Sequence, residues 1–143
     1  MSRRIAATTT IAAPGSRVWA LLMDFARYPE WNPFIQSIKG RARAGETLEV
    51  VIQPPGRKPS TFRPVVVEVV PERSFEWRGS LPIPGLFVGA HRFEIGPVGP
   101  GVRLEQSERF SGMLVPFVGD VLRATELGFR NMNEALKARA EAK

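Results

Sequence analysis

The chain has 143 residues, of which 43% are hydrophobic and 24% are charged, a composition typical of globular domains and unlike that of disordered chains. This length is that of one ordinary domain, so we predict a single domain over residues 1–143. The sequence has no cysteine, which excludes disulfides, thiol nucleophiles and thiolate metal sites. A single histidine falls short of a zinc ligand set, and we expect neither a metal nor a cofactor.

The formal net charge is +6, but the basic residues are scattered along the chain. Because no run of five or six basic residues occurs, they are interpreted as solvated faces, and we expect no specific nucleic-acid partner. No segment approaches the ~20 apolar residues that a membrane-spanning helix needs. The stretch from Met1 to Ser16 is too weakly apolar for a signal peptide. We therefore predict a cytoplasmic protein.

The first predicted elements are a strand and a helix that ends early. Residues 4–12, RIAATTTIA, are β-branched and roughly alternating, which predicts a strand. A helix follows the turn at Pro14, with apolar side chains at helical spacing at Val18, Leu21, Leu22 and Phe25. Pro29 and Pro33 prevent its continuation, because proline lacks an N–H and restricts the residue before it. We expect a break near Tyr28 and at most a second short helix.

The broken segment, DFARYPEWNPFIQSI, places four aromatic side chains where that helix ends, namely Phe25, Tyr28, Trp31 and Phe34. Aromatic side chains fill both protein cores and ligand pockets. Two interpretations therefore remain open at this point: plain packing, or contact with a ligand at one end of a cavity.

Six strands are predicted between Ile35 and Ser111, and a long helix follows them. The strands are FIQSIKG, TLEVVIQ, TFRPVVVEVV, SFEWRGS, GLFVGAHRFEI and VRLEQSERFSG. The short gaps between them favour hairpins and antiparallel pairing. From about Leu114 to Ala142 the spacing predicts a helix with one apolar stripe, formed by Val118, Val121, Leu122, Thr125, Phe129, Met132 and Leu136.

This order of elements predicts an α+β fold: a seven-stranded curved antiparallel sheet, two short helices after the first strand, and a long C-terminal helix. A strongly twisted sheet of this size curls. A helix lying across its concave side would leave a space in which a small apolar molecule can bind.

The element order and four segments resemble the SRPBCC superfamily, the START and polyketide cyclase-like helix-grip proteins, from about Ile5 to Ala140. The segments are IAAPGSRVWALLMDFARYPEWNPFIQSI, TFRPVVVEV, GLFVGAHRFEI and GFRNMNEALKARAE. The resemblance implies a helix-grip fold whose sheet wraps around the C-terminal helix, with a hydrophobic ligand held between them. It implies no particular reaction, because this fold serves carriers, sensors, cyclases and hydrolases. The sequence departs from close relatives at Gln106, where they often have a histidine, and near Ala90, where they often have an acidic residue.

Three polar residues form the candidate chemistry of this cavity. His91 is the only histidine and alternates in phase with Phe93, so we expect it to face the cavity. Gln106 and Glu108 share one face of the next strand. A carboxylate beside the imidazole would hold one tautomer of His91. The set is either a buried polar network that satisfies itself, or a general base with its orienting group, with His91 and Glu108 as catalytic candidates.

A second candidate rim is the segment GSLPIPGLFVG, Gly79 to Gly89, with large apolar residues at Leu81, Ile83 and Leu86. It is expected to face residues 113–117 at the start of the long helix. Exposed apolar residues at a rim mark a ligand entrance, a partner or a membrane contact. The alternative is that the two loops pack on each other.

We hypothesise that the protein binds or transports a small hydrophobic ligand, such as a lipid, an isoprenoid or a polyketide-like compound. The residues predicted to contact it are Phe25, Tyr28, Trp31, Phe34, Trp77, Leu86, His91, Phe93, Leu104, Gln106, Glu108, Phe110, Val118, Leu122, Thr125 and Phe129. One alternative is a polyketide cyclase or aromatase with His91 as general base. Another is a lipid chaperone resembling the coenzyme Q-binding START-like proteins, with weak contact to a membrane surface or the ribosome. Monomer and homodimer both remain open.

Overall fold

The computed structural model describes residues 2–80 and 85–142, which form an α+β, helix-grip-like fold with a curved antiparallel sheet and a C-terminal helix. The strands are β1 (Ser2–Ile11), β2 (Ile35–Lys39), β3 (Glu49–Ile52), β4 (Ser60–Phe62), β5 (Val65–Val70), β6 (Ser74–Ser80), β7 (Val88–Val98) and β8 (Gly101–Ser111). The helices are α1 (Gly15–Met23), α2 (Tyr28–Trp31) and α3 (Gly119–Glu141), with 3-10 turns at Phe25–Arg27 and Val115–Phe117.

The strands form two antiparallel sheets, a five-stranded one in the order β1-β8-β7-β6-β5 and a three-stranded one in the order β2-β3-β4. The prediction of seven strands is wrong in this detail, because TFRPVVVEVV forms two strands. Pro64 lacks the N–H that a strand interior needs, and the chain changes sheets at this residue. The sheets meet where Leu48 donates to the Pro64 carbonyl (2.8 Å) and Val66 donates to the Glu46 carbonyl (2.8 Å).

The helix after β1 is broken as its prolines predict, giving α1, a 3-10 turn and the single-turn α2. Pro29 lies in the first turn of α2, where a missing N–H leaves no helical bond unmade. The side-chain oxygen of Asn32 then accepts hydrogen bonds from the backbone N–H groups of Phe34 (2.9 Å) and Ile35 (2.8 Å). This side chain turns the chain into β2.

The long helix begins at Gly119, later than the predicted start near Leu114. Pro116 confines the preceding residues to a 3-10 turn, and Val118 leaves the helical region with φ −118° and ψ 26°. The buried side of α3 follows most of the predicted stripe, at Leu122, Thr125, Phe129, Met132 and Leu136. The other two predicted members differ, since Val118 precedes the helix and Val121 is 38% exposed. Among the described residues, no helix is long and apolar enough to cross a membrane.

The core lies between α3 and the five-stranded sheet and is closed at one end by α1. The Arg17 guanidinium of α1 donates to the carbonyls of Ala140 (2.6 Å) and Arg139 (3.1 Å). These carbonyls have no helical partner at the end of α3, so Arg17 caps it and joins the two helices. Arg17 therefore anchors α1 to the C-terminal end of α3.

Candidate ligand-binding site

A cavity of about 600 Å³ lies between the two sheets and the N-terminal half of α3. This volume is in the range of sites for small organic ligands, roughly 300–1,000 Å³. Its wall is mainly aliphatic and aromatic, with side chains from both sheets and from α3, at Phe34, Val50, Ile52, Phe62, Trp77, Phe87, Phe110, Val121 and Leu122. A wall of this kind favours an apolar molecule, because burying apolar surface is the main source of binding free energy.

Polar side chains reach this wall from the turn before β4, from β4, from β6 and from α3, at Arg57, Lys58, Ser60, Ser80 and Thr125. Two more, His91 and Glu108, come from β7 and β8. These strands pair in a register that places His91 directly opposite Glu108. His91 faces inward and is 1% exposed, as the alternation of β7 predicts. The outer face of the same strand carries Arg92, whose guanidinium contacts the Glu68 carboxylate at 2.6 Å. Hydrogen bonds from the Ser74 hydroxyl and from this guanidinium hold the pKa of Glu68 below its usual range.

A chain of hydrogen bonds runs from His91 across the core to the backbone of β1. His91 Nε2 lies 2.8 Å from Gln106 Oε1, Gln106 Nε2 donates to Asn133 Oδ1 (3.1 Å), and Asn133 Nδ2 donates to the Ala7 carbonyl (3.0 Å). All three side chains are buried. The predicted polar set is thus brought together, and Asn133 of α3 joins it.

The Ala7 carbonyl fixes the direction of this chain, because a carbonyl can only accept. It orients the Asn133 amide, which in turn orients the Gln106 amide so that its oxygen faces His91. Nε2 of His91 must therefore carry a proton and donate it. The other ring nitrogen, Nδ1, is left to face Glu108, with 3.4 Å between Nδ1 and Glu108 Oε1.

The Glu108 carboxylate occupies space left free by a glycine. A Cβ added at Gly89 would overlap Glu108 Oε2 and would lie 3.5 Å from a ring carbon of Phe110. The Glu108 side chain is 16% exposed, so it is less deeply buried than His91. Together they place an imidazole nitrogen and a carboxylate side by side on a mainly apolar wall.

Only part of the predicted ligand-contact set lines the cavity: Phe34, Trp77, His91, Glu108, Phe110, Leu122 and Thr125. Others are buried in the core, at Phe93, Leu104, Gln106 and Phe129. Leu86 and Val118 are half-buried and do not line it. Contact of any of these residues with a ligand stays a prediction.

The aromatic cluster of the broken helix divides between the two interpretations. Phe34 lines the cavity. Phe25, Tyr28 and Trp31 pack on one another and on β6 instead, with ring centroids 5.8 Å apart for Phe25 and Tyr28 and 6.0 Å apart for Phe25 and Phe75. The Tyr28 hydroxyl donates to the Leu22 carbonyl at 2.7 Å, and burial raises its pKa well above the ordinary value.

Residues 2–141 match the model of a protein family described as polyketide cyclase/dehydrase and lipid transport. The chain belongs to this family. No curated protein matches it in sequence.

Solved structures that share the fold of this family member include aromatase/cyclases and a START superfamily protein. The di-domain ARO/CYC BexL has a TM-score of 0.79 at 18% identity over 99% of this chain and 51% of that one, so the chain spans about half of it. The Zhui aromatase/cyclase from Streptomyces has a TM-score of 0.78 at 16% identity, over 99% and 94%. A START superfamily protein from Mycobacterium smegmatis has a TM-score of 0.74 at 22% identity, over 96% and 97%. At these identities the likeness shows the fold alone.

Several residues of the site in this polyketide cyclase/dehydrase family member are missing from the sequence prediction. Asn133 follows Phe129 by four residues and so falls on the apolar stripe of α3, which is the signal that could have identified it. Gly89 is two residues before His91 and so faces the same side of β7. The cavity wall also includes Phe62 of β4 and, on the turn before it, Arg57 and Lys58. The local sequence pattern predicts a strand here but does not show that the strand borders a cavity.

The second predicted rim is described in part, because Leu81 and Ile83 lie outside the described residues. Its remaining half pairs with the segment before α3: Met113 donates to the Gly85 carbonyl (3.1 Å) and Leu114 to the Leu86 carbonyl (3.0 Å). The two loops thus pack through their backbones. Met113 and Phe117 nevertheless remain 72% and 80% exposed. Contact of this rim with a membrane stays a prediction.

Among the described residues, no group of three histidine or acidic side chains is placed to hold a metal ion.

Proposed function

We propose that this protein binds a small hydrophobic molecule, such as a lipid, an isoprenoid or a polyketide-like compound, and holds or transports it in the cytoplasm without covalent chemistry. The observation that carries the proposal is the apolar cavity of about 600 Å³ beneath α3. Each Å² of apolar ligand surface removed from water contributes ~25 cal/mol before the cost of immobilising the ligand. The family description, which includes lipid transport, supports the same reading.

The polar groups of the wall would orient such a ligand. With Nε2 engaged by Gln106, Nδ1 of His91 and the Glu108 carboxylate offer acceptor lone pairs to the cavity. A ligand hydroxyl that reaches these acceptors can donate to them and so gains a defined orientation.

Binding can be tested with N-phenyl-1-naphthylamine, an uncharged dye whose fluorescence increases in apolar surroundings. We expect the parent protein to bind it, and Leu122→Trp and Thr125→Trp to weaken binding at least ~10-fold, because each indole would fill part of the cavity. Leu127→Trp is the matched control: Leu127 is on the same helix, 47% exposed and not on the cavity wall. A parent protein that never binds the dye, or a loss equal in all three variants, would contradict the proposal.

A cyclase or aromatase acting on a polyketide-like substrate is the second candidate, and the fixed tautomer of His91 favours it. Because Nε2 donates to Gln106, the atom available as general base is Nδ1, which faces Glu108 at 3.4 Å. General-base catalysis typically contributes 10²- to 10⁴-fold in rate. If parent protein turns over a poly-β-ketone substrate and His91→Gln loses that activity while keeping dye affinity, the enzyme is the better reading. Absence of turnover across a panel of such substrates would instead favour the ligand-binding function proposed above.

A further inference from the structure

Two basic side chains stand at the mouth of the cavity, on the turn that joins β3 to β4. Arg57 and Lys58 both line the cavity and both are exposed. Two hydrogen bonds close the turn beneath them: the Arg57 N–H donates to the Pro54 carbonyl (3.0 Å), and the Gln53 side chain donates to the Arg57 carbonyl (2.9 Å). The two cations are therefore carried at the mouth by a hydrogen-bonded turn.

Within residues 2–80 and 85–142, no acidic side chain pairs with either cation. The acid nearest in sequence, Glu49, lies 3.5 Å from Arg63 instead. Among the described residues of the cavity wall, Glu108 is the only acid, and it lies beside His91. The mouth thus carries a positive charge that no neighbouring carboxylate offsets.

We propose that the ligand is an amphipathic anion, whose apolar body fills the cavity while a carboxylate or phosphate group stays at the mouth between Arg57 and Lys58. This inference rests on the proposed function and specifies the class of ligand. An arginine guanidinium and a lysine ammonium both bind such oxyanions, the first through paired hydrogen bonds and the second as a point charge. Their attraction is stronger beside the apolar wall than in free solution.

The exposure of the polar groups sets the orientation of such a ligand. His91 is 1% exposed, the Glu108 side chain is 16% exposed, and Arg57 and Lys58 are on the surface. An anion that entered head first would lose its hydration and meet the Glu108 carboxylate. An anion that enters tail first keeps its head group hydrated and next to the two cations. The ligand therefore enters with its apolar end first.

Two dyes of nearly the same shape test this inference. The anionic dye 1-anilinonaphthalene-8-sulfonate has the rings of N-phenyl-1-naphthylamine plus one sulfonate. In Arg57→Gln/Lys58→Gln we expect affinity for the anionic dye to fall ~3- to 10-fold, the range for two exposed ion pairs, with affinity for the neutral dye unchanged. The loss should shrink in high salt, because salt screens exposed charges.

The matched control is Arg63→Gln/Arg78→Gln, which removes the same net charge from two arginines that do not line the cavity. It should leave the affinity for both dyes unchanged. Only the component of each dye's binding that Leu122→Trp weakens is assigned to the cavity and compared between variants. The inference is wrong, and the proposed function stands, if the mouth variant, Arg57→Gln/Lys58→Gln, binds the neutral dye and keeps its full affinity for the anionic dye. The same holds if it loses no more of that affinity than the control variant does. If the neutral dye does not bind, the proposed function itself is wrong.

Displacement of the neutral dye by decanoate, decyl phosphate and decanol then separates the two sources of negative charge. Both anions should displace the dye from the parent at lower concentration than decanol, and the mouth variant should remove that advantage. A preference for decanoate alone identifies a fatty-acid-like ligand, and a preference for decyl phosphate alone identifies a phosphorylated lipid. Equal displacement by all three in the parent would overturn the inference.

Discussion

The two halves of α3 carry the same apolar stripe but face different surroundings. In the C-terminal half the stripe is fully buried against the sheet, at Phe129, Met132 and Leu136. In the N-terminal half the stripe faces the cavity, at Val121, Leu122 and Thr125. A periodic pattern therefore predicts which face of a helix is covered, but it does not predict whether protein or ligand covers it.

The difference arises on the opposite wall. Beneath Phe129 the space is filled by rings, with centroid distances of 5.6 Å to Phe34 and 4.8 Å to His91. Beneath the N-terminal half, the wall includes β3 and β4, which belong to a separate sheet because the chain changes sheets at Pro64. That second sheet and the turn before β4 enclose space that no side chain fills.

Replacing a phenylalanine by alanine should have the largest effect on stability. This effect should also differ most between the packed core and the cavity mouth. We expect Phe129→Ala to lower the free energy of unfolding by about 3–5 kcal/mol, since Phe129 is 0% exposed and its loss leaves a void. Phe62→Ala, at the cavity mouth, should cost less than ~1 kcal/mol because Phe62 is already 49% exposed. Chemical denaturation of both variants measures the difference, and equal losses would show that the two halves are packed alike.

A methyl group at Gly128 tests how tightly the boundary between the halves is packed. A Cβ at this position would overlap the ring of Phe34. Although alanine favours a helix over glycine by ~1 kcal/mol, we expect Gly128→Ala to destabilise by about 1–3 kcal/mol, because the buried ring must move.

Gly119→Ala is the control for that variant, since its nearest neighbours would lie 3.7 and 3.8 Å away, at ordinary contact distance. Its free energy of unfolding should stay within ~0.5 kcal/mol of the parent. If Gly128→Ala is instead stabilised and dye affinity is unchanged, Phe34 is not fixed against the helix.

The pH dependence of stability reports the dry environment of the closed end. Burial raises the pKa of Tyr28 in the folded protein, and its unfolded value is ~10. Below pH ~10 the Tyr28 hydroxyl keeps its proton in both the folded and the unfolded state, so its contribution to the free energy of unfolding does not change with pH. Above it the unfolded state releases the proton first, so the free energy of unfolding should fall by up to ~1.4 kcal/mol per pH unit.

Tyr28→Phe should remove this part of the alkaline loss while costing ~1 kcal/mol at neutral pH, because the Leu22 carbonyl loses its hydrogen bond. Tyr28 is the only tyrosine, so absorbance near 295 nm follows its ionisation directly. Ionisation near pH 10 without unfolding would show that the hydroxyl reaches water.

Most of the fold follows from local patterns in the sequence. The proline breaks of the first helix, the alternation around His91 and the stripe of α3 each depend on a few neighbouring residues, and the structure confirms them. The extra strand was missed although Pro64 stands inside TFRPVVVEVV, because the apolar pattern continues on both sides of it. The start of α3 was misplaced because the 3-10 turn at Val115–Phe117 presents the same apolar residues as a helix.

The candidate site was less predictable, because its members meet only in three dimensions. His91, Gln106 and Glu108 could be grouped since they lie on paired neighbouring strands. Asn133 could not be joined to them, because its partner is a backbone carbonyl more than a hundred residues away in β1. The turn carrying Arg57 and Lys58 has an ordinary surface composition, and only the tertiary fold shows that it borders a cavity.

The pairing of β1 with β8 also determines how this protein folds. Every residue of β1 pairs with a residue of β8 roughly a hundred positions later, from Ser2 with Ser111 to Ile11 with Val102. Such contacts close a very long loop, and chains dominated by them fold slowly, typically in milliseconds to seconds. The Ala7 carbonyl that orients Asn133, and through it His91, belongs to this long-range pair, which we expect to form late. Refolding experiments should therefore show collapse of the β6–β7–β8 meander before the His91 environment becomes native.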